Sequence, residues 1–170
     1  MKSKQRIFLV GPMGAGKSTV GRILAERLHV AFIDSDGEIE RRTGADIPWI
    51  FEIEGEDGFR KREGDVIADL VTRVPLVLAT GGGAVMREQN RALLRSHGYV
   101  VYLNASLREQ TRRTGKDRNR PLLAGKNRSQ VLGQLMEIRD PLYREVADLV
   151  LPTDNKSASV LADTIISELA

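Results

Sequence analysis

The sequence predicts a single α/β domain over residues 1–170, a three-layer α/β/α sandwich built on a five-stranded parallel sheet. Three observations point there. Short apolar runs alternate along the chain with longer segments whose apolar residues recur at helical spacing. Those runs are apolar at successive rather than alternate positions, as in strands covered on both faces. The 170 residues, 41% of them hydrophobic, are enough for one buried core but not for two full domains.

The elements follow in order. Arg6–Val10 reads as the first strand, and a glycine-rich loop leads from it into a helix whose stripe is Val20, Ile23, Leu24 and Leu28. Val30–Ile33 is the second strand. From Asp34 to about Arg62 runs a long helical insertion, followed by the stripe Val66, Ile67, Leu70 and Val71 and the third strand, Leu76–Ala79. A helix closing at Gly98 precedes the fourth strand, Tyr99–Leu103, and Ser106 with Glu109 three residues on has capping-box spacing for the next helix. Residues 114–127 are polar, contain Gly115 and Gly125 as possible hinges, and read as a mobile lid. Ser129 is placed as the cap of a helix carrying Leu132, Leu135 and Met136; Leu149–Leu151 is the fifth strand, and Ser157 caps the last helix. Right-handed crossovers between parallel strands put a ligand site at the carboxyl ends of the strands.

One motif lies at that edge. Gly11-Pro12-Met13-Gly14-Ala15-Gly16-Lys17-Ser18 matches G-x-x-x-x-G-K-[ST], between a buried strand and an amphipathic helix, where its chemistry requires it. The backbone N–H groups of Gly14, Ala15, Gly16, Lys17, Ser18 and Thr19 can turn onto the phosphates of ATP, Lys17 can reach the β and γ oxygens, and Ser18 can ligate Mg²⁺. The third strand ends in Thr80-Gly81-Gly82-Gly83 and offers no carboxylate. The second ends in Asp34-Ser35-Asp36, so Asp34 is a candidate to hold Mg²⁺ through a water and Asp36 to accept the proton of an attacking hydroxyl; the plainer reading makes either one a helix cap.

Six motifs in order extend beyond the loop: the phosphate loop with Gly21-Arg22, Asp34-x-Asp36, Gly58-Phe59-Arg60-x-x-Glu63, Gly81-Gly82-Gly83, Arg120-Pro121-Leu122-Leu123, and Arg139-x-x-x-Tyr143. In this the chain resembles the shikimate kinase family through nearly its whole length. The resemblance implies a nucleoside-monophosphate-kinase-like P-loop fold in which 34–62 is the shikimate-binding insertion. It also implies ATP as co-substrate with Mg²⁺, and phosphorylation of shikimate to shikimate 3-phosphate on the route to chorismate. It carries shikimate binding onto Asp36, Arg60, Gly82 and Arg139, an ATP contact with a catalytic role onto Arg120, and adenine contacts onto Asp154-Asn155-Lys156. Those roles suit the chemistry, because guanidinium groups pair with a carboxylate through two hydrogen bonds, and Glu63 one turn beyond Arg60 can orient it. Trp49 and Phe51 fall in the insertion as core or pocket wall.

Composition narrows the alternatives. The net charge is only +3, and the basic stretch from Arg108 to Arg128 contains no aromatic residue for base stacking, which argues against nucleic acid. There is no cysteine, hence no disulfide or thiolate site, and His29 and His97 are isolated and read as structural. The apolar run near the N-terminus, Ile7–Val10, is too short for a signal peptide or a membrane span, and a cytoplasmic monomer is the expectation. The competing readings are a gluconate or nucleoside-monophosphate kinase of the same fold, a GTP switch, and a noncatalytic nucleotide-binding protein. An N-K-x-D guanine motif is absent.

Overall fold

The computed structural model describes residues 4–115, 121–123 and 127–170. Five parallel strands, β1 Arg6–Val10, β2 Ala31–Asp34, β3 Leu76–Ala79, β4 Tyr99–Asn104 and β5 Leu149–Pro152, form one sheet in the order β2-β3-β1-β4-β5. The chain therefore leaves β1 for one edge of the sheet, returns to β3 beside β1, and then crosses to the other side. The carboxyl end of β1 sits at this reversal, where a crevice opens in doubly wound sheets.

Each face of β1 feeds a different core. Ile7 and Leu9 pack with Val77, Val101 and Leu103 beneath helices α1 (Lys17–Leu28) and α7 (Ala158–Leu169). Phe8 and Val10 pack with Leu76, Leu78, Val100 and Tyr102 beneath α3 (Ile47–Leu70), α4 (Glu88–His97) and α6 (Arg128–Val146). The expected burial on both faces holds for β1, β3 and β4. It fails for β2 and β5, which are the sheet margins and remain partly exposed.

Three local expectations change. The helix boundary after the insertion is one: residues 34–62 are helical, on α2 (Ser35–Thr43) and the first part of α3, but α3 runs on to Leu70 and takes up the Val66–Leu70 stripe. Gly55, at φ 72° and ψ −179°, is the one non-helical residue in it. The cap of α6 is Asn127, whose side chain accepts from the Gln130 N–H; Ser129 lies inside the helix. Trp49 is 53% exposed rather than core, whereas Phe51 stacks on Phe59 with ring centroids 4.9 Å apart. Ser106 and Ser157 cap α5 (Leu107–Thr114) and α7 as the spacing indicated. Among the described residues no helix is long and apolar enough to cross a membrane.

Candidate active site

Two cavities open side by side at the carboxyl edge of the sheet. The first is lined by Gly14, Gly16, Lys17, Ser18, Thr19, Asp34, Thr80 and Arg113, the second by Met13, Phe51, Phe59, Arg60, Glu63, Gly83 and Arg139; Asp36, Gly81 and Gly82 line both. They are thus two compartments with a common wall.

The first compartment is made mostly by backbone. The chain turns out of β1 and enters α1 through Gly16, which sits in the left-handed region at φ 88°, a conformation that costs glycine nothing. That turn aims the open N-terminal end of α1 into the cavity, where uncapped N–H groups and the helix dipole favour an anion. Lys17 Nζ donates to the carbonyls of Gly11 at 2.7 Å and Pro12 at 2.8 Å, so its charge is held at the loop. Ser18 Oγ donates to Asp34 Oδ2, while Asp34 Oδ1 accepts from the N–H groups of Asp36 at 3.0 Å and Gly37 at 3.3 Å. Asp34 is therefore both the cap of α2 and the partner of Ser18, and the two readings of this residue are compatible.

The second compartment is made by buried side chains. Arg60 and Arg139 are only 8% and 4% exposed, and the carboxylates of Glu63, itself buried, and Asp36 line the cavity with them. Arg60 Nη1 donates to Glu63 Oε1 at 2.9 Å and its guanidinium packs over the Phe59 ring. Burial raises the Glu63 carboxyl above the usual range, and the Arg60 charge opposes that rise. Arg60 Nη2 also donates to Glu56 Oε1 at 3.4 Å and the Asp36 carboxylate lines the same compartment, so the charges are largely matched within the protein, while both guanidinium groups still line the cavity, where a ligand carboxylate could pair with them. The Gly81-Gly82-Gly83 run lets this cluster close up. A Cβ on Gly81 would stand 2.8 Å from Asp36 Oδ1 and 2.9 Å from Glu63 Oε2, and one on Gly83 would collide with the Arg60 guanidinium.

Most of the sequence candidates meet here. Gly14, Gly16, Lys17, Ser18, Thr19, Asp34 and Asp36 gather in one compartment, Asp36, Arg60, Gly82 and Arg139 in the other, and Ala15 is buried in the loop between Gly14 and Gly16. Arg120 lies outside the described residues, as does most of 114–127. Lys156 is exposed on the turn between β5 and α7 and lines neither compartment; that turn is tied to the β4–α5 connection by Asp154 Oδ1, which accepts from the Ser106 N–H at 3.0 Å.

Two residues escaped the sequence reading, Arg113 in the lining of the first compartment and Tyr143 behind the wall of the second. Arg113, on α5, donates to the Gly14 carbonyl at 2.8 Å, and nothing in its basic surroundings distinguishes it from its neighbours. Tyr143 had a place in a motif but no role; it is fully buried, and its hydroxyl donates to the Gly82 carbonyl at 2.5 Å. Among the described residues no cluster of three or more His, Cys, Asp or Glu could hold a metal ion.

Comparison with known proteins bears on this geometry. The family model described as shikimate kinase matches residues 13–170. Shikimate kinase of Pseudomonas paraeruginosa is 56% identical over 163 residues, covering 96% of this chain and 95% of its own, and that of Alteromonas mediterranea is 56% identical over 169 residues, covering 99% of each. The solved structure of shikimate kinase from Acinetobacter baumannii in complex with shikimate superposes with a TM-score of 0.96 at 54% identity, covering 99% of this chain and 94% of that one. Shikimate kinase from Bacteroides thetaiotaomicron gives 0.86 at 33% identity, covering 96% and 95%. A phosphate loop joined to a buried two-arginine pocket, with near-full-length likeness to these enzymes, makes the chain a member of the shikimate kinase family.

Proposed function

We propose that the two compartments divide the shikimate kinase reaction between them, ATP in the first and shikimate in the second, with Asp36 at the shared wall. The observation that carries this is the sharing itself: Asp36, Gly81 and Gly82 line both cavities, so a donor in one and an acceptor in the other have their reacting ends at the same three residues.

The chemistry follows from the residues. Arg60 and Arg139 clamp the shikimate carboxylate, and Gly82 presents its backbone to the ring. The acceptor hydroxyl then faces Asp36, which takes its proton as the new O–P bond forms to the γ-phosphorus and the bond from that phosphorus to the bridging oxygen of ADP breaks. Lys17 and the N-terminus of α1, with the backbone of Gly14 to Thr19, stabilise the charge on the phosphoryl oxygens. The Ser18 hydroxyl and Asp34 carboxylate suit Mg²⁺, a hard cation that keeps several waters and takes few protein oxygens. When bound there, Mg²⁺ would neutralise charge on the β and γ oxygens. The family pattern supports Arg120 as an ATP contact in a lid over 114–127 and residues 34–62 as the acceptor-binding region. Lys156 as an adenine contact rests on that pattern alone. A monomer is the working unit in this reading, and a cytoplasmic setting suits an enzyme supplied with ATP.

ADP release from Mg-ATP, followed with shikimate, quinate, gluconate and nucleoside monophosphates, tests the reading. Turnover on shikimate above the others is expected. Turnover on gluconate or a nucleoside monophosphate, with none on shikimate, would transfer the second compartment to a different acceptor.

A further inference from the structure

The Tyr143 hydroxyl lies where two parts of the acceptor pocket, on different elements, come together. It donates to the carbonyl of Gly82, on the segment after β3, at 2.5 Å, and Arg139, one turn earlier on α6, lies near enough for its charge to act on the phenol. The phenol gives its one hydrogen to that carbonyl and keeps its lone pairs for a nearby cation. Gly82 and Arg139 are already close, since a Cβ on Gly82 would lie 3.4 Å from Arg139 Nη1. The ring itself is clamped: it is 0% exposed and packs against Tyr102 at 4.9 Å between centroids. Burial pushes its pKa up to about 12, so the proton stays on the oxygen throughout the neutral range.

From this geometry we infer that Tyr143 is a positioning residue for the acceptor: its hydroxyl holds the Gly82 peptide and the Arg139 guanidinium in one fixed relation. This role for Tyr143 rests on the second compartment being the shikimate site. A peptide plane is rigid, so a bond that fixes the Gly82 carbonyl also orients that peptide at the cavity wall. Arg139 must hold a guanidinium in a defined plane to pair with a carboxylate, and the phenol limits its rotation. Without the hydroxyl, both groups keep their chemistry but lose their mutual alignment, and recognition of the acceptor weakens while nucleotide binding, in the other compartment, does not.

Tyr102 supplies the matching control. It is equally buried, touches the same ring, and its hydroxyl donates to Asp140 Oδ1 at 2.7 Å rather than to either pocket residue. Tyr143→Phe is expected to raise KM for shikimate about tenfold, the effect of one lost buried hydrogen bond, with KM for ATP within about twofold of the parent. Tyr102→Phe should lower thermal stability comparably and leave KM for shikimate within about twofold. Equal shifts in the two variants, or none in Tyr143→Phe, would overturn the inference. Arg139→Ala serves as reference: if it raises KM for shikimate and Tyr143→Phe does not, only the role of Tyr143 falls, whereas no response to Arg139→Ala removes the site reading itself. Should Tyr143→Phe fail to fold, the parent chain still decides. It has three tyrosines, so 3-fluorotyrosine labelling gives three fluorine resonances. The Tyr143 resonance should move on adding shikimate and stay in place with ADP; a resonance indifferent to shikimate contradicts the assignment.

Discussion

The two compartments of this site are built by opposite means. The side proposed for phosphate rests chiefly on consecutive residues, Gly11 to Thr19, whose groups are mostly backbone N–H and one helix end, with Asp34, Thr80 and Arg113 completing the wall. The acceptor side draws on four separated segments, with Asp36 on α2, Arg60 and Glu63 on α3, the glycine run after β3, and Arg139 with Tyr143 on α6. A phosphate is met by the same local turn wherever it occurs, but a particular carboxylate with particular hydroxyls needs charges fixed at several points in space. The first requirement is satisfied by local sequence and the second only by tertiary structure.

Substitutions can separate the two sides. The largest losses are expected at the proposed reacting groups: Lys17→Ala and Asp36→Asn should each reduce kcat by about a hundredfold to ten-thousandfold, one through lost phosphoryl stabilisation and the other through a lost proton acceptor. Near-normal kcat in Asp36→Asn would remove it from the chemistry. Next come Arg60→Ala and Arg139→Ala, each expected to weaken shikimate binding by roughly ten- to a hundredfold with ATP binding kept. Arg60→Lys should recover little, because an ammonium cannot form the paired fork. Calorimetry in which both ligands weaken together would point to lost folding rather than to a divided site.

Asp34 allows a finer cut, since it both caps α2 and contacts Ser18. Asp34→Asn keeps a good cap but gives up the charge, and should raise the magnesium needed for half-maximal rate by about tenfold with little change in melting temperature. An unchanged magnesium dependence would leave Asp34 a cap alone.

The smallest effect concerns the scaffold behind Asp36. Hydrogen bonds from Arg41 and Arg42 hold Glu38 at a pKa of about 2 against an ordinary 4.5, and Arg42 also reaches Asp69 near the end of α3. A folded-state pKa below the unfolded value adds stability that is fully present above pH 4.5 and is lost as pH falls through about 2. These pairs are partly exposed, so Glu38→Gln should lower the melting temperature by only about 1–4 °C at pH 7. The gap to the parent should close as the pH drops below 4.5. A gap independent of pH would mean that packing, not the ion pairs, holds α2 to α3.

Legibility followed the same division. The five strands and the phosphate loop could be read because their signals are local: apolar runs bounded by turns, and a motif in the right setting. Asp34 could be located but not resolved between cap and metal partner, because both depend on where Ser18 lies. Arg60 and Arg139 are arginines among many; only the order of motifs singled them out, and their burial against Glu63 is a property of the assembled core. Arg113 left no sequence signal at all. Its approach to Gly14 comes from α5 packing beside the loop, with 99 residues separating the two partners. Ser129 was misread because Asn127, two residues earlier, offers an equally good capping side chain.

A crystal structure of the chain with shikimate and ADP would test the divided site most directly. The account requires the shikimate carboxylate on Arg60 and Arg139, a ring hydroxyl within hydrogen-bonding distance of Asp36, and the terminal phosphate of ADP at Lys17 and the N-terminus of α1. Shikimate bound away from the two arginines, or turned so that no hydroxyl faces Asp36, would contradict it.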